Sequence, residues 1–195
     1  MQAENMRGPI CVFLAEEFEE IEALTVVDVL RRAELPVQTV AVMGEADERG
    51  KIAVTGAHGI PVVADTFIDA IDADAVDMLV LPGGMPGTTN LEACPPLREM
   101  LVRFNEQKRP ISAICTAPMV LGHLGLVKGR TATIYPGMED ELVGANATQE
   151  PVAVDDNITT SRGPATALPF ALALVQRYRG ADVAQQIAHG MVKYW

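Results

Sequence analysis

The chain has 195 residues, room for one domain with a proper core but not for two. Against 26 acidic residues stand 15 basic ones, and a formal net charge of −11 repels phosphate backbones and anionic lipid, so neither nucleic acid nor membrane is expected as a partner. Hydrophobic residues at 49% exclude disorder, and aromatics at 5% leave little material for base-stacking or sugar-binding platforms.

In chain order, Ile10–Leu14 is a continuously apolar run, as a strand buried on both faces requires. A helix is predicted from about Glu19 to Ala33, then a strand over Val37–Val42. Around the glycines from Gly50 to Gly59, Ile52–Val54 and Ile60–Val63 predict a small hairpin. Ala75–Leu81 reads as a core strand stopped by Pro82-Gly83-Gly84, and Leu91–Glu106 as a helix with Pro95 and Pro96 near its first turn. Pro110–Ile114 is the next strand, Thr116–Leu126 the helix after it, and Thr131–Ile134 a short strand. Val152–Val154 and Ile158–Thr160 flank the turn signal Asp155-Asp156-Asn157, and Pro164–Tyr178 and Asp182–His189 close the chain as helices. Strand and helix alternate without linker or repeat. That order predicts one α/β domain over residues 1–195, a sandwich around a mostly parallel sheet.

Ligands on such sheets gather beyond the carboxyl ends of the strands, and three of those ends carry unusual residues. Cys115 stands between the strand ending at Ile114 and the helix opening with Thr116-Ala-Pro118. A sharp strand-to-helix turn pushes its side chain out of the sheet, and a helix start favours a thiolate. The competing reading is a buried cysteine that only fills space. Gly83 and Gly84, directly after a core strand, allow a turn that aims consecutive N–H groups at one point, an oxyanion hole, or else a plain tight turn. Glu22 shares a helical face with Val26, Val29 and Ala33, while Glu20, Asp28, Arg31 and Arg32 lie toward the other side. A carboxyl on the apolar stripe is held protonated by burial and serves as an acid or base; a rim glutamate reaching water is the alternative.

The remaining candidates are weaker. His58, His123 and His189 show no metal-ligand spacing, so no metal is expected. Cys11, Cys94 and Cys115 include no C-x-x-C pair, which argues against a disulfide framework or zinc ribbon. Cys94, ahead of two prolines, is expected to be exposed and oxidisable, and Cys11 inert within its strand. The start Met1–Met6 lacks a basic-then-apolar leader pattern, and no apolar run approaches the ~18 residues of a membrane span. A cytoplasmic protein is the expectation.

Several motifs in order, from about Ile10 to Tyr178, resemble the ThiJ/PfpI family, the DJ-one superfamily. They are Leu14-Ala with Glu19-Glu-Ile-Glu22, Val27-Asp-Val-Leu-Arg-Arg-Ala33, Val80-Leu-Pro-Gly-Gly84, Ala113-Ile-Cys-Thr-Ala-Pro118 and Thr160-Ser-Arg-Gly-Pro164. The resemblance implies a flavodoxin-like three-layer sandwich and a homodimer. It casts Cys115 as the reactive cysteine, Glu22 as its protonated partner, and the N–H groups of Gly83, Gly84 and Thr116 as donors. It also places the Arg162-Gly163-Pro164 turn beside them. Two positions depart from the pattern. Tyr135 stands where many members carry a histidine, and with a reference pKa near ~10 it is a poor base at neutral pH. Thr116 stands where the peptidase branch has a histidine, so peptidase chemistry lacks its base.

The resemblance thus implies a cofactor-free enzyme for reactive carbonyls, a glutathione-independent glyoxalase or a protein deglycase, acting on methylglyoxal or glycated protein. A redox-sensing stress protein or chaperone, with Cys115 oxidised to a sulfinate, is the alternative.

Overall fold

The structure is a computed structural model that describes residue 6, residues 8–44, 46, 48 and 50–193; the stretch Met1–Asn5 of the start read above lies outside them. Strand β1 (Ile10–Leu14) leads into helix α1 (Glu20–Arg32) and strand β2 (Val37–Ala41). The hairpin β3 (Ile52–Thr55) and β4 (Pro61–Ala64) follows, then the two-residue β5 (Thr66–Phe67) and β6 (Met78–Leu81). Helices α2 (Gly87–Glu92) and α3 (Pro95–Glu106) precede β7 (Ile111–Ile114), α4 (Pro118–His123), and the short β8 (Thr131–Ala132) and β9 (Asn146–Ala147). The hairpin β10 (Val152–Asp155) and β11 (Ile158–Ser161) leads to α5 (Ala167–Arg179) and α6 (Ala181–Gly190).

Seven strands form the main sheet in the order β10-β11-β7-β6-β1-β2-β5, parallel throughout except at the edge, where β10 runs against β11. Side chains alternate along β1, and the two sets build two cores. Ile10, Val12 and Leu14 pack with Val26, Val29 and Leu30 of α1 and Phe170 and Leu174 of α5. Cys11 and Phe13 join Leu97, Leu101 and Phe104 of α3 and Leu121 of α4 on the other face. Burial on both sides explains why this strand is apolar at every position. The result is the expected three-layer α/β sandwich.

The expected helix over Leu91–Glu106 is two helices. Cys94 is extended (φ −86, ψ 105), because the ring of Pro95 disfavours helical geometry in the residue before it. Of Thr131–Ile134 only the first two residues pair, and they pair with Asn146 and Ala147, a strand too short for its pattern to be read. Pro164–Thr166 forms a single 3-10 turn ahead of α5. Among the described residues no helix is long and apolar enough to cross a membrane.

Candidate active site

Because β1, β6, β7 and β11 are parallel, their carboxyl ends at Leu14, Leu81, Ile114 and Ser161 share one edge of the sheet. Cys115 follows β7 with φ +64, the left-handed region, where a side chain costs about 1–2 kcal/mol. Two backbone bonds hold it there. Its N–H donates to the Ser161 carbonyl at 3.0 Å, and its own carbonyl accepts the Tyr135 N–H at 2.8 Å. Strain pinned on both sides is how an elbow turns a side chain off the sheet. Six per cent of the residue meets solvent.

Glu22 comes to the same place from α1. It is wholly buried, and its Oε2 accepts the Gly83 N–H at 2.8 Å. Burial raises this carboxyl to about 7, against the lowering effect of the Gly83 N–H and of Cys115, the group it faces. Its Oε1 is buried with no N–H or O–H directed at it. Gly83 is the wall between the two. A Cβ there would lie 2.6 Å from Cys115 Cβ, 2.9 Å from Glu22 Oε2 and 3.0 Å from Thr116 Oγ1, so only glycine lets the turn approach this closely. Gly84, at φ +95, needs the same freedom, and a Cβ would strike the Glu17 carbonyl oxygen at 2.5 Å.

The thiol differs from the expectation of a depressed pKa. Burial pushes Cys115 up to about 12, with the charge and hydrogen bonding of ionised Glu22 adding to it, while the N–H groups of Thr116 and Gly84 pull it down. The physical reason is position: α4 begins at Pro118, so the sulfur lies ahead of the helix and inside the core rather than on an open first turn. Two of the raising causes belong to ionised Glu22 and vanish when Glu22 keeps its proton. The two groups therefore titrate as a coupled pair, and the thiol gives up its proton more readily while Glu22 keeps its own.

The other predicted residues divide. The Gly83 N–H is taken up by Glu22, which leaves Gly84 and Thr116 as the backbone donors facing the sulfur. Tyr135 is 46% exposed, and its ring edge lies 3.5 Å from where a Gly163 side chain would begin, so it forms the rim. Arg162 turns its guanidinium to the Gln149 carbonyl (3.2 Å). Pro164 opens the 3-10 turn, whose Thr166 Oγ1 accepts the N–H groups of Gly163 and Arg162 at 3.0 and 3.2 Å. Thr88, whose hydroxyl meets that of Thr116 at 2.6 Å, packs beside the residue that follows Cys115 without any local signal in the sequence.

Two expectations are corrected. Cys94 is only 7% exposed, tucked with Leu91 and Leu97 into the core, and burial raises its thiol. Glu20 is 4% exposed, because the β3–β4 hairpin folds over it and His58 donates its backbone N–H to Oε1 at 2.7 Å. Glu19, Glu20 and His58 bring one oxygen or nitrogen each within 4.8 Å of one another, a grouping that could hold a cation. The 2.7 Å bond between His58 Nδ1 and Glu20 Oε2 already accounts for it.

A parallel-sheet sandwich with a strained cysteine turn and a buried glutamate against it defines a class of cysteine-bearing α/β proteins. Comparison places the chain within that class. It matches the DJ-1/PfpI family over residues 9–177. It is 36% identical over 180 residues to the Parkinson disease protein 7 homolog of Danio rerio, covering 90% of this chain and 92% of that one. Protein DJ-1 homolog A of Arabidopsis thaliana is 38% identical over 179 residues, 91% of this chain. The chain spans less than half of that relative, 44% of its length. The solved structure of oxidized Toxoplasma gondii DJ-1 superposes with a TM-score of 0.88 at 32% identity, covering 96% of this chain and all of that one. The chain belongs to the DJ-1/PfpI family, and its sandwich is the flavodoxin-like fold of its structural neighbours.

Proposed function

We propose that the protein is a cysteine-dependent enzyme that needs no cofactor and processes small reactive carbonyls, as a glutathione-independent glyoxalase or a deglycase does. One observation carries the reading: a wholly buried carboxyl with its pKa near neutrality faces the sulfur of a strained elbow. A group that titrates at working pH both gives and takes protons. The 6% exposure of Cys115 suits a small aldehyde better than a peptide.

With methylglyoxal, Cys115 Sγ adds to the aldehyde carbon, the carbonyl π electrons move to oxygen, and the alkoxide takes up the proton of Glu22 as a hemithioacetal forms. The N–H groups of Gly84 and Thr116 face the charge that develops. Glu22, now ionised, takes the proton from the former aldehyde carbon, and the electron pair left behind forms a carbon–carbon double bond as the ketone π electrons move to its oxygen. The hydroxyl proton then passes to that oxygen as the thioester carbonyl forms, and Glu22 returns its proton to the former ketone carbon. One carbon is thereby oxidised to a thioester and the other reduced to an alcohol, and water hydrolyses the thioester to lactate and free thiol. The balance is methylglyoxal plus water to lactate plus a proton, with no outside oxidant. The test is purified protein with methylglyoxal and no glutathione, followed by lactate measurement. Lactate at the uncatalysed rate would end the proposal.

A redox role for the same pair is the second reading, supported by the relative solved in an oxidized form. Two equivalents of peroxide would convert the thiol to a sulfinate, with neutral Glu22 donating to its oxygen. Mass spectrometry after mild peroxide is expected to find Cys115 oxidised first; oxidation of Cys94 ahead of it would refute this.

A homodimer is also proposed. Ile21 and Leu24 on α1 are 57% and 37% exposed, and Ile60 on the adjoining hairpin is 51% exposed, an apolar face suited to a second copy. Sedimentation is expected to give the mass of two chains; a single species at one chain's mass at micromolar concentration would exclude it.

A further inference from the structure

His123 closes α4, and both of its ring nitrogens face a carboxylate. Nδ1 lies 2.6 Å from Glu92 Oε1, and Nε2 lies 2.7 Å from Glu141 Oε2. A neutral imidazole has one N–H to give, and its other nitrogen would turn a lone pair toward an oxygen that can only accept. The doubly protonated ring satisfies both partners, and each bond is then charge-assisted. Bonding to Glu92 and to Glu141 accordingly raises the His123 pKa above its ordinary 6.5, against a lowering by burial. Glu139, on the same turn as Glu141, directs its carboxylate to the Gly137 N–H at 2.9 Å, and Asp140 is exposed. On the α3 side, Arg98 and Arg103 stand with Glu99 and Glu106 around Leu124, so the signs there offset each other.

The three segments that meet at this ring all start at the candidate site. α2 follows the Gly83-Gly84 turn and ends at Glu92. α4 follows Cys115 and Thr116 and ends at His123. The third begins at Tyr135, whose N–H holds the Cys115 carbonyl. From there the Met138 N–H donates to the Tyr135 carbonyl at 3.1 Å, and the Glu141 N–H to the Met138 carbonyl at 3.0 Å. This strap lies hard against α4: a Cβ on Gly122 would collide with the Glu141 carbonyl oxygen, so only glycine admits it. Of the two anchors Glu141 is the more open, 45% exposed against 28% for Glu92, and its bond is the one to give way when the ring loses a proton.

We propose that His123 is a proton-operated clamp on the rim of the site: protonated, it holds the strap of residues 135–142 against α4 and α2, and deprotonated it lets the strap go. The clamp is closed below the ordinary histidine value of 6.5 and opens as pH rises through the higher value of the folded protein. The strap that opens carries the N–H bonded to the Cys115 carbonyl, so mild alkali loosens one of the two backbone bonds that hold the elbow. The clamp does not depend on which reaction Cys115 carries out.

The experiment is residue-resolved amide hydrogen exchange by NMR from about pH 6 to about pH 9, each rate divided by its intrinsic value, with the His123 ring titrated in the same samples. In wild type the ring is expected to titrate above 6.5, and protection of the Glu141 and Leu142 amides to fall roughly 10- to 100-fold as it does. The Tyr135 amide is expected to follow by about 3- to 10-fold. His123→Gln, with no proton to lose, should show the low protection at both ends of the range. Glu141→Gln should lower the ring pKa and leave these amides open throughout. Glu22 titrates in every one of these proteins, so the measure is the difference between variant and wild type, with the β1 amides as the reference for global stability. A wild-type ring that titrates at or below 6.5 would overturn the clamp without any variant. So would strap amides with the same pH dependence in wild type and His123→Gln, or a difference between the two shared equally by β1. A Tyr135 amide that stays closed while Glu141 opens would overturn the clamp's reach to the elbow.

Discussion

Cys115→Ser is expected to lower lactate formation from methylglyoxal on the order of 10³-fold or more while leaving the fold intact. The elbow is held by the backbone bonds from Cys115 N–H to Ser161 and from Tyr135 N–H to Cys115, neither of which involves the sulfur, so a serine sits in the same place. What changes is the acid. A hydroxyl holds its proton more tightly than even this buried thiol, and its oxygen is the poorer nucleophile toward an aldehyde. Cys94→Ser is the matched control, because Cys94 lies with Leu91 and Leu97 in the core on the α3 face, and its activity is expected to stay at the wild-type level. Initial rates of lactate formation at matched protein concentration decide the matter. Undiminished turnover in Cys115→Ser would remove the thiol from the chemistry, whatever the geometry around it.

The parts of this site that could be read in the sequence are those whose signal is local. The run Ile10–Leu14 is apolar at every position because the strand is covered on both faces, and its bounds coincide with β1. Cys115 is conspicuous because it stands between a strand and a helix, and Glu22 because the helical period sets it in line with Val26 and Val29, which are buried with it. Glu20 marks where that argument stops. The same period places it opposite the apolar stripe, but the hairpin carrying His58, 38 residues away, closes over that side. Likewise the Thr88–Thr116 bond spans 28 residues, and neither threonine differs locally from an ordinary polar residue at a helix start. The helix-start argument for an acidic thiol failed for a related reason. Periodicity says that a helix follows Cys115, but not that it begins three residues later with the sulfur already withdrawn from solvent.

Glu22→Gln is expected to separate catalysis from stability by moving them in opposite directions. The amide oxygen can still accept the Gly83 N–H, but the side chain has no proton to exchange, so turnover should fall by about 10²- to 10³-fold. Stability should rise at alkaline pH. The carboxyl titrates at about 7 in the folded protein, raised by burial from an ordinary value of 4.5. Between those two values the unfolded chain has released a proton that the folded chain retains, so wild-type stability falls as pH rises through this window and then levels off above pH 7. The displacement corresponds to roughly 3 kcal/mol, the cost of a charge confined beside Gly83 and Cys115 without water. Glutamine never acquires that charge. Urea unfolding at pH 4 and at pH 8 should therefore find the two proteins alike in acid and Glu22→Gln more stable in base by about that amount. Parallel profiles, with wild type no less stable at pH 8 than Glu22→Gln, would mean that the carboxyl ionises freely in the folded state, and a freely ionised Glu22 could not hold the proton that the thiolate needs it to hold.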